Sequence, residues 1–177
     1  MSDDASVILR PAREDDLPLL ERFLFDPEAA SSFQWFGWRD PDRFRRRFAE
    51  NGLLGPDDGQ LVVDTSDADA PLGFVSWHKL RTGPTSYCWS MGIALAPEAR
   101  GRGVGTRAQL LLVRYLFAHT PVQRIQADTD LENIAEQRAL EKAGFTREGV
   151  MRGVVFRDGH WRDGVLYGVL RDDPLPG

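Results

Sequence analysis

Apolar residues recur along this chain with two periods, and the change from one to the other divides it. Val7 to Arg10 reads as a short strand stopped by Pro11. From Glu14 to Phe25, the residues Leu17, Leu20, Phe23 and Leu24 fall on one helix face, and Asp26-Pro27 ends the run. Pro41 is placed to begin a second helix after Asp40 as N-cap, with Phe44 and Phe48 one turn apart. Arg43, Arg45, Arg46 and Arg47 give that helix a solvated basic face. Between the two helices, Ser32 to Trp38 holds the aromatics Phe33, Trp35, Phe36 and Trp38.

Beyond the turn region Gly52 to Gly59 the pattern changes to strands. Gln60 to Asp64, Leu72 to Lys79 and Thr85 to Leu95 read as successive antiparallel strands, the first two joined by a polar hairpin loop, Thr65 to Pro71. Val104 to His119 carries Leu110, Leu111, Val113, Leu116 and Phe117 on more than one face, which predicts a well-buried helix stopped before Pro121. Val122 to Ala127 is a strand. Asn133 to Ala143 is a helix with Gly144 at C′. Phe145 to Phe156 and Trp161 to Leu170 form a hairpin across Asp158-Gly159. A meander, a strand–helix–strand crossover, a helix and a hairpin make a mixed α/β sheet.

Composition adds bounds. The 177 residues fit one domain, and no composition shift marks a second. The net charge of −5 argues against a nucleic-acid partner. The single cysteine, Cys88, lies in an apolar strand and reads as a buried thiol in a reducing compartment. The start, MSDDAS, has neither a basic n-region nor an apolar h-region, and no run reaches membrane-spanning length, so a cytoplasmic protein without membrane partners is expected.

The chemistry centres on Pro97 to Thr106, PEARGRGVGT, between a strand and a helix. Gly101, Gly103 and Gly105 allow unusual backbone angles and close approach, and exposed amides feeding a helix N-terminus suit an anion. A Walker A loop is excluded, because Thr106 and Ala108 stand where its second glycine is required. A dinucleotide fingerprint is matched by Gly103, Gly105 and Ala108, with Asp128 as its acidic partner, but Pro97 to Arg102 intervene where a tight turn is required. The third pattern is R/Q-x-x-G-x-G/A, matched by Arg100, Gly103 and Gly105 after Leu95-Ala96-Pro97.

With that pattern the chain resembles the GCN5-related N-acetyltransferases. Asn133 to Phe145, NIAEQRALEKAGF, then Glu148-Gly149 and Phe156 to Leu170, FRDGHWRDGVLYGVL, resemble the Rim-type branch, which contains ribosomal-protein N-terminal acetyltransferases and relatives acting on small amines. The resemblance covers about Leu72 to Arg171. It implies one α/β domain with a mostly antiparallel sheet flanked by helices. It also implies a core over about 72–171 that binds acetyl-CoA, and acceptor-side helices over about 12–50. The expected cofactor-binding residues are Leu95, Arg100, Gly101, Arg102, Gly103, Val104, Gly105, Thr106 and Asn133, with no metal. The expected oxyanion donors are backbone N–H groups of Ile93 and Leu95 on a splayed strand end, with Gly92 compatible with a bulge.

No acid or base carries over from the family. Its frequent tyrosine falls at Leu140, a serine of some Rim-type members at Glu136, and a glutamate of others at Val155. The catalytic candidates are therefore Glu136, Tyr167 and His78, each with a rival structural role. Asn133-x-x-Glu136 is also a capping box, Tyr167 lies on a packed strand, and His78 ends one. Asp163 resembles an aspartate common in the branch, as structural as it is catalytic. Phe33, Trp35, Phe36, Trp38 and Trp77 are candidates for an acceptor wall as well as for core. The expected activity is direct acetyl transfer to a primary amine, a small molecule being favoured over a protein N-terminus. An acyl-CoA sensor and a dinucleotide-dependent oxidoreductase are the alternatives, and a homodimer is kept open.

Overall fold

The computed structural model describes residues 6–66 and 70–177. The readings that fall on the first five residues and on 67–69, at the start of the sequence and at the tip of the Thr65–Pro71 loop, lie outside the described residues.

A seven-stranded sheet is built from β1 (Val7–Arg10), β2 (Asp58–Thr65), β3 (Gly73–Arg81), β4 (Tyr87–Leu95), β5 (Arg124–Asp130), β6 (Thr146–Arg157) and β7 (His160–Leu170). Its order is β1-β2-β3-β4-β5-β7-β6, and every neighbouring pair is antiparallel except β4–β5. The β6–β7 turn forms at Asp158 (φ 52°) and Gly159 (φ 77°), two left-handed residues as the Asp-Gly pair predicts.

Helices cover both faces. On one side α1 (Leu17–Phe25), α2 (Pro27–Ala30) and α3 (Arg43–Asn51) pack Leu20, Phe23 and Phe44 against the sheet. Phe74 meets Phe23 and Phe44 edge-on, with ring centroids 5.4 and 5.8 Å apart. On the other side α4 (Val104–His119) and α5 (Ile134–Lys142) bury the main core, which includes Val75, Trp77, Trp89, Leu112, Leu116, Ile125 and Val165. Trp77 therefore belongs to the core and not to an acceptor wall. Cys88 is buried, which pushes its thiol up, in keeping with a packing role.

Several boundaries differ from expectation, most of them by one or two residues. The first helix opens with a 3-10 turn, Glu14–Asp16, and α2 follows the Asp26-Pro27 stop because Asp26 Oδ1 accepts from Glu28 N (2.9 Å) and caps a new start. α3 begins at Arg43 after Asp42, two residues later than the Pro41 start. β5 runs three residues beyond Ala127, through Asp128, Thr129 and Asp130, because β7 continues to pair with it down to Gly164.

That extension shapes the molecule. β4 and β5 pair only at Trp89↔Ile125, Ser90↔Gln126 and Met91↔Ala127. Beyond this point β4 stays with β3 up to Leu95 and β5 stays with β7 up to Asp130. The sheet divides there into two arms with a cleft between them.

Candidate active site

One end of the cleft is built from backbone. After β4, a 3-10 turn at Pro97–Ala99 leads the chain off the sheet into the glycine loop. Gly101 (φ 72°) and Gly103 (φ 80°) are left-handed, and Gly103 is the N-cap of α4 with no side chain capping the helix. The bond Arg107 N to Gly103 O (3.2 Å) opens the helical ladder. The amides of Val104, Gly105 and Thr106 therefore have no helical partner, and they stand at the positive end of a 16-residue helix. This is an anion cradle. It opens on a groove of about 520 Å³ whose walls include Leu95, Gly103, Gly105, Thr106, Asn133 and Lys142.

Arg100 lines this groove, but its guanidinium is committed elsewhere. Its Nε donates to Leu95 O (3.0 Å) and its terminal nitrogens to the carbonyls of Glu28 (3.4 Å) and Ala29. It ties the end of β4 to α2 rather than adding free charge to the loop. Val104 turns its side chain into the core and offers only its amide, while Arg102 is exposed.

At the parting of the strands, Ala96 N donates to Leu72 O (2.9 Å). The even-numbered residues of β4 are thus bonded to β3, and alternation turns the amides of Ile93 and Leu95 toward the cleft, where β5 has left. The carbonyls on this edge are occupied: Ile93 O accepts from Gln34 Nε2 (2.7 Å) and Leu95 O from Arg100. Gly92 makes no bulge, since β3 and β4 keep register through Ser76↔Gly92. The opening comes from the departure of β5.

The groove continues into an inner pocket of about 230 Å³. Both are lined by Phe33, Gln34, Ile93, Asn133 and Glu136. The expected capping box is only half present. Asn133 Oδ1 accepts from Glu136 N (3.3 Å), but Asn133 N donates to Asp130 O (2.9 Å), so the Glu136 carboxyl is not used there. It accepts instead from Nε2 of Gln109 (2.8 Å), a fully buried residue of α4. Burial pushes the Glu136 carboxyl up to about 7, against that hydrogen bond. Leu140, one turn further along α5, and Val155 also line this pocket, so both positions offer apolar surface here.

Asp128 lines the same pocket, just beyond the last β4–β5 pair. Its side chain is exposed, but partial desolvation by the cleft raises its pKa, and the nearby His78 offsets part of that rise. The sequence offered Asp128 only as a ribose ligand of a dinucleotide. The structure sets it in the cleft between the arms and buries Ala108 in the core.

Next to it lies an ion pair with no sequence signal. Arg157 NH2 donates to Asp130 Oδ2 (2.6 Å), each side chain being 4% exposed. Arg157 NH1 donates to Phe33 O (3.1 Å), and the guanidinium lies 5.5 Å from the Phe33 ring centre. The partners are 27 and 124 residues apart, so no spacing could show them. Gln109 did leave a trace, as the one amide amid the apolar positions of a buried helix.

Two catalytic candidates do not reach the site. Tyr167 is fully buried on β7 and its hydroxyl donates to Glu141 Oε1 (3.0 Å). His78 is exposed on β3 and lines neither cavity. Asp163 accepts from Gly153 N (2.8 Å), holding the irregular part of β6. Of the aromatic segment, Phe33 and Phe36 wall the inner pocket, and Trp38 is 82% exposed. Among the described residues no cluster of His, Cys, Asp and Glu suits a metal ion, and no helix is long and apolar enough to cross a membrane.

A split sheet with an anion cradle on one arm defines a class, and the sequence matches the model of the acetyltransferase (GNAT) domain over residues 6–146. The chain belongs to that family. It is 33% identical over 111 residues to the probable N-acetyltransferase YjcK of Bacillus subtilis, covering 63% of this chain and 61% of the relative. It is 25% identical over 126 residues to the [ribosomal protein uS5]-alanine N-acetyltransferase of Escherichia coli, covering 71% and 59%. The chain thus spans about three-fifths of the length of these relatives. In fold it is similar to a spermidine N-acetyltransferase from Vibrio cholerae solved in complex with CoA and spermine, with a TM-score of 0.81 at 19% identity, covering 96% of this chain and 98% of that one. Family membership removes the ground for the dinucleotide reading of the glycine loop.

Proposed function

We propose that this protein is an N-acetyltransferase that moves an acetyl group from acetyl-CoA to a primary amine by direct attack. One observation carries this reading: the groove from the anion cradle and the inner pocket meet where β4 and β5 part, beside unpaired amides and the Glu136 carboxyl. The amides of Gly103 to Thr106 hold the pyrophosphate, and the groove past Leu95 and Asn133 takes the pantetheine arm. Acetyl-CoA supplies the acyl carbonyl; the amine nitrogen bonds to its carbon as the C–S bond breaks, the amine loses a proton and the sulfur gains one.

This chain's own groups match those demands. The N–H groups of Ile93 and Leu95 face the place where negative charge develops on the carbonyl oxygen. Asp128, which lines the inner pocket, receives the amine's proton in this reading. Glu136, held near neutrality, is protonated in part at physiological pH and gives its proton to the departing sulfur. The acceptor enters past Phe33 and Phe36. The setting we propose is cytoplasmic, in keeping with the one buried free thiol.

The test is acetyl transfer onto a broad amine panel, followed by mass spectrometry of the amide and thiol titration of released CoA. Glu136→Gln is expected to lower kcat by about 10²–10⁴-fold, to keep CoA affinity, and to lose the fall in kcat above pH 7. A protein that binds CoA tightly yet acetylates no amine would be an acyl-CoA sensor, and the proposal would be wrong.

A further inference from the structure

A second cavity, of about 300 Å³, opens from the inner pocket on the α1–α3 side of the sheet, and both are lined by Gln34, Phe36, Gly92 and Ile93. Its floor is a row of paired residues, Gln60↔Ser76↔Gly92, leading away from the parting of the strands. Gln60 therefore lies two strand spacings, about 10 Å, from Gly92. Two arginines stand over this cavity, Arg39 from the aromatic segment and Arg43 from the start of α3.

Neither arginine forms an ion pair among the described residues. Arg39 donates only to Gln34 O (3.3 Å) and lies 5.7 Å from the Phe36 ring centre. Arg43 makes no salt bridge among the described residues, and Asp40 beside it is held by Arg46. Burial, with Arg43 adding repulsion, lowers the pKa of Arg39. A third group in the same wall is also unmatched. Gln60 is 8% exposed, and its Oε1 is buried without a hydrogen-bond partner. The two guanidiniums are exposed and free to meet a ligand at the cavity rim, while the orphaned Gln60 amide oxygen is costly unless a ligand completes it.

Resting on the acetyltransferase reading, we infer that the acceptor is a small amine carrying an anionic group at its far end, bound by Arg39 and Arg43. The amine points to Ile93, and the chain of the acceptor crosses the Gly92–Ser76–Gln60 floor. Gln60 Oε1 takes a hydrogen bond from an N–H or O–H along it. A polycationic acceptor, such as the spermine bound by the Vibrio cholerae protein of similar fold, would meet like charge here.

The test compares pairs that differ in charge: 6-aminohexanoate with 6-aminohexanamide, and O-phosphoethanolamine with ethanolamine, with spermidine as the polycation. The wild-type protein is expected to prefer the anionic member of at least one pair, and the pair identifies carboxylate or phosphate. Arg39→Gln or Arg43→Gln should lower the anionic-to-neutral ratio of kcat/KM by about ten- to a hundredfold, and less at high salt. CoA titration of each variant reports whether it is folded and loaded. Preference for the neutral amines or for spermidine, or a ratio that neither substitution moves, overturns this inference and leaves acetyl transfer standing. Tight CoA binding with no amine acetylated overturns both.

Discussion

The two ends of the cleft are made of different materials. At the end proposed for the cofactor, the groups offered to a ligand are main-chain amides, set by three glycines within five residues and by the start of α4. At the end proposed for the acceptor they are side chains, Asp128, Glu136, Asp130, Arg157 and Phe33, drawn from the loop after α2, from β5, from α5 and from β6. The first end needs only a local backbone path. The second needs the whole sheet to be assembled and its two arms held apart. A site that recognises a constant cosubstrate can be local, and a site that distinguishes acceptors is spread over the chain.

The comparison is tested most strongly at Gly105. A Cβ there would meet Leu95 Cδ1 at an ordinary 3.6 Å, and its φ is not left-handed, so Gly105→Val leaves the fold intact. The added methyls instead stand in the groove over the amides. Losing two charge-assisted hydrogen bonds at about 1.5–3 kcal/mol each raises the Kd for CoA by roughly two to four orders of magnitude. Calorimetric titration with CoA measures this, alongside an unchanged far-UV spectrum. Gly103→Ala sharpens the point, because nothing lies within 4 Å of its Cβ and only the left-handed angle costs, about 1–2 kcal/mol. A Gly105→Val protein that binds CoA like the wild type would mean that this end is not the cradle.

The same division explains what the sequence discloses. The glycine loop, the Asp-Gly hairpin and the α4 core are local patterns, and all are where the sequence places them. Arg100 misleads, because a residue type shows a charge but not the carbonyls that absorb it. The extension of β5 is invisible locally, since the polar run Asp128-Thr129-Asp130 does not read as strand; β7 imposes the pairing. Without that extension neither Asp128 nor Asp130 is seen to face the cleft. Glu136 is legible as a residue with two candidate roles, because a capping box and a buried acid look alike until Gln109 is placed beside it.

The acceptor end is tested next through Arg157. Its guanidinium joins Asp130 on β5 to Phe33 in the loop after α2, with both charges almost wholly buried. Arg157→Met keeps most of the volume but strands the Asp130 carboxylate, which costs about 3–5 kcal/mol. Urea denaturation should show that loss, with the KM for the acceptor rising as Phe33 loses its anchor. Adding Asp130→Leu removes the stranded charge and should recover most of the stability. A single variant as stable as the wild type would show that the Phe33 loop is anchored to the β5–β7–β6 arm by something other than this pair.

The smallest effect depends on pH, and its sign follows from Glu136. Its carboxyl is shifted from 4.5 to about 7 by burial in the folded protein. The native state therefore binds this proton more tightly than the unfolded chain does. The contribution is complete below about 4.5 and is lost as pH climbs through about 7. The gap between those values corresponds to about 3 kcal/mol. Glu136→Gln cannot ionise, and its amide oxygen can still accept from Gln109 Nε2. Unfolding free energies from urea titrations should match for the two proteins at pH 4. Above pH 8 the variant should be more stable by as much as about 3 kcal/mol, although it is the poorer catalyst. This opposition separates a buried acid kept for chemistry from a helix cap, because loss of a cap lowers stability at every pH. A difference that does not change with pH would mean that water reaches Glu136 freely, and the acceptor end would then lack its proton donor.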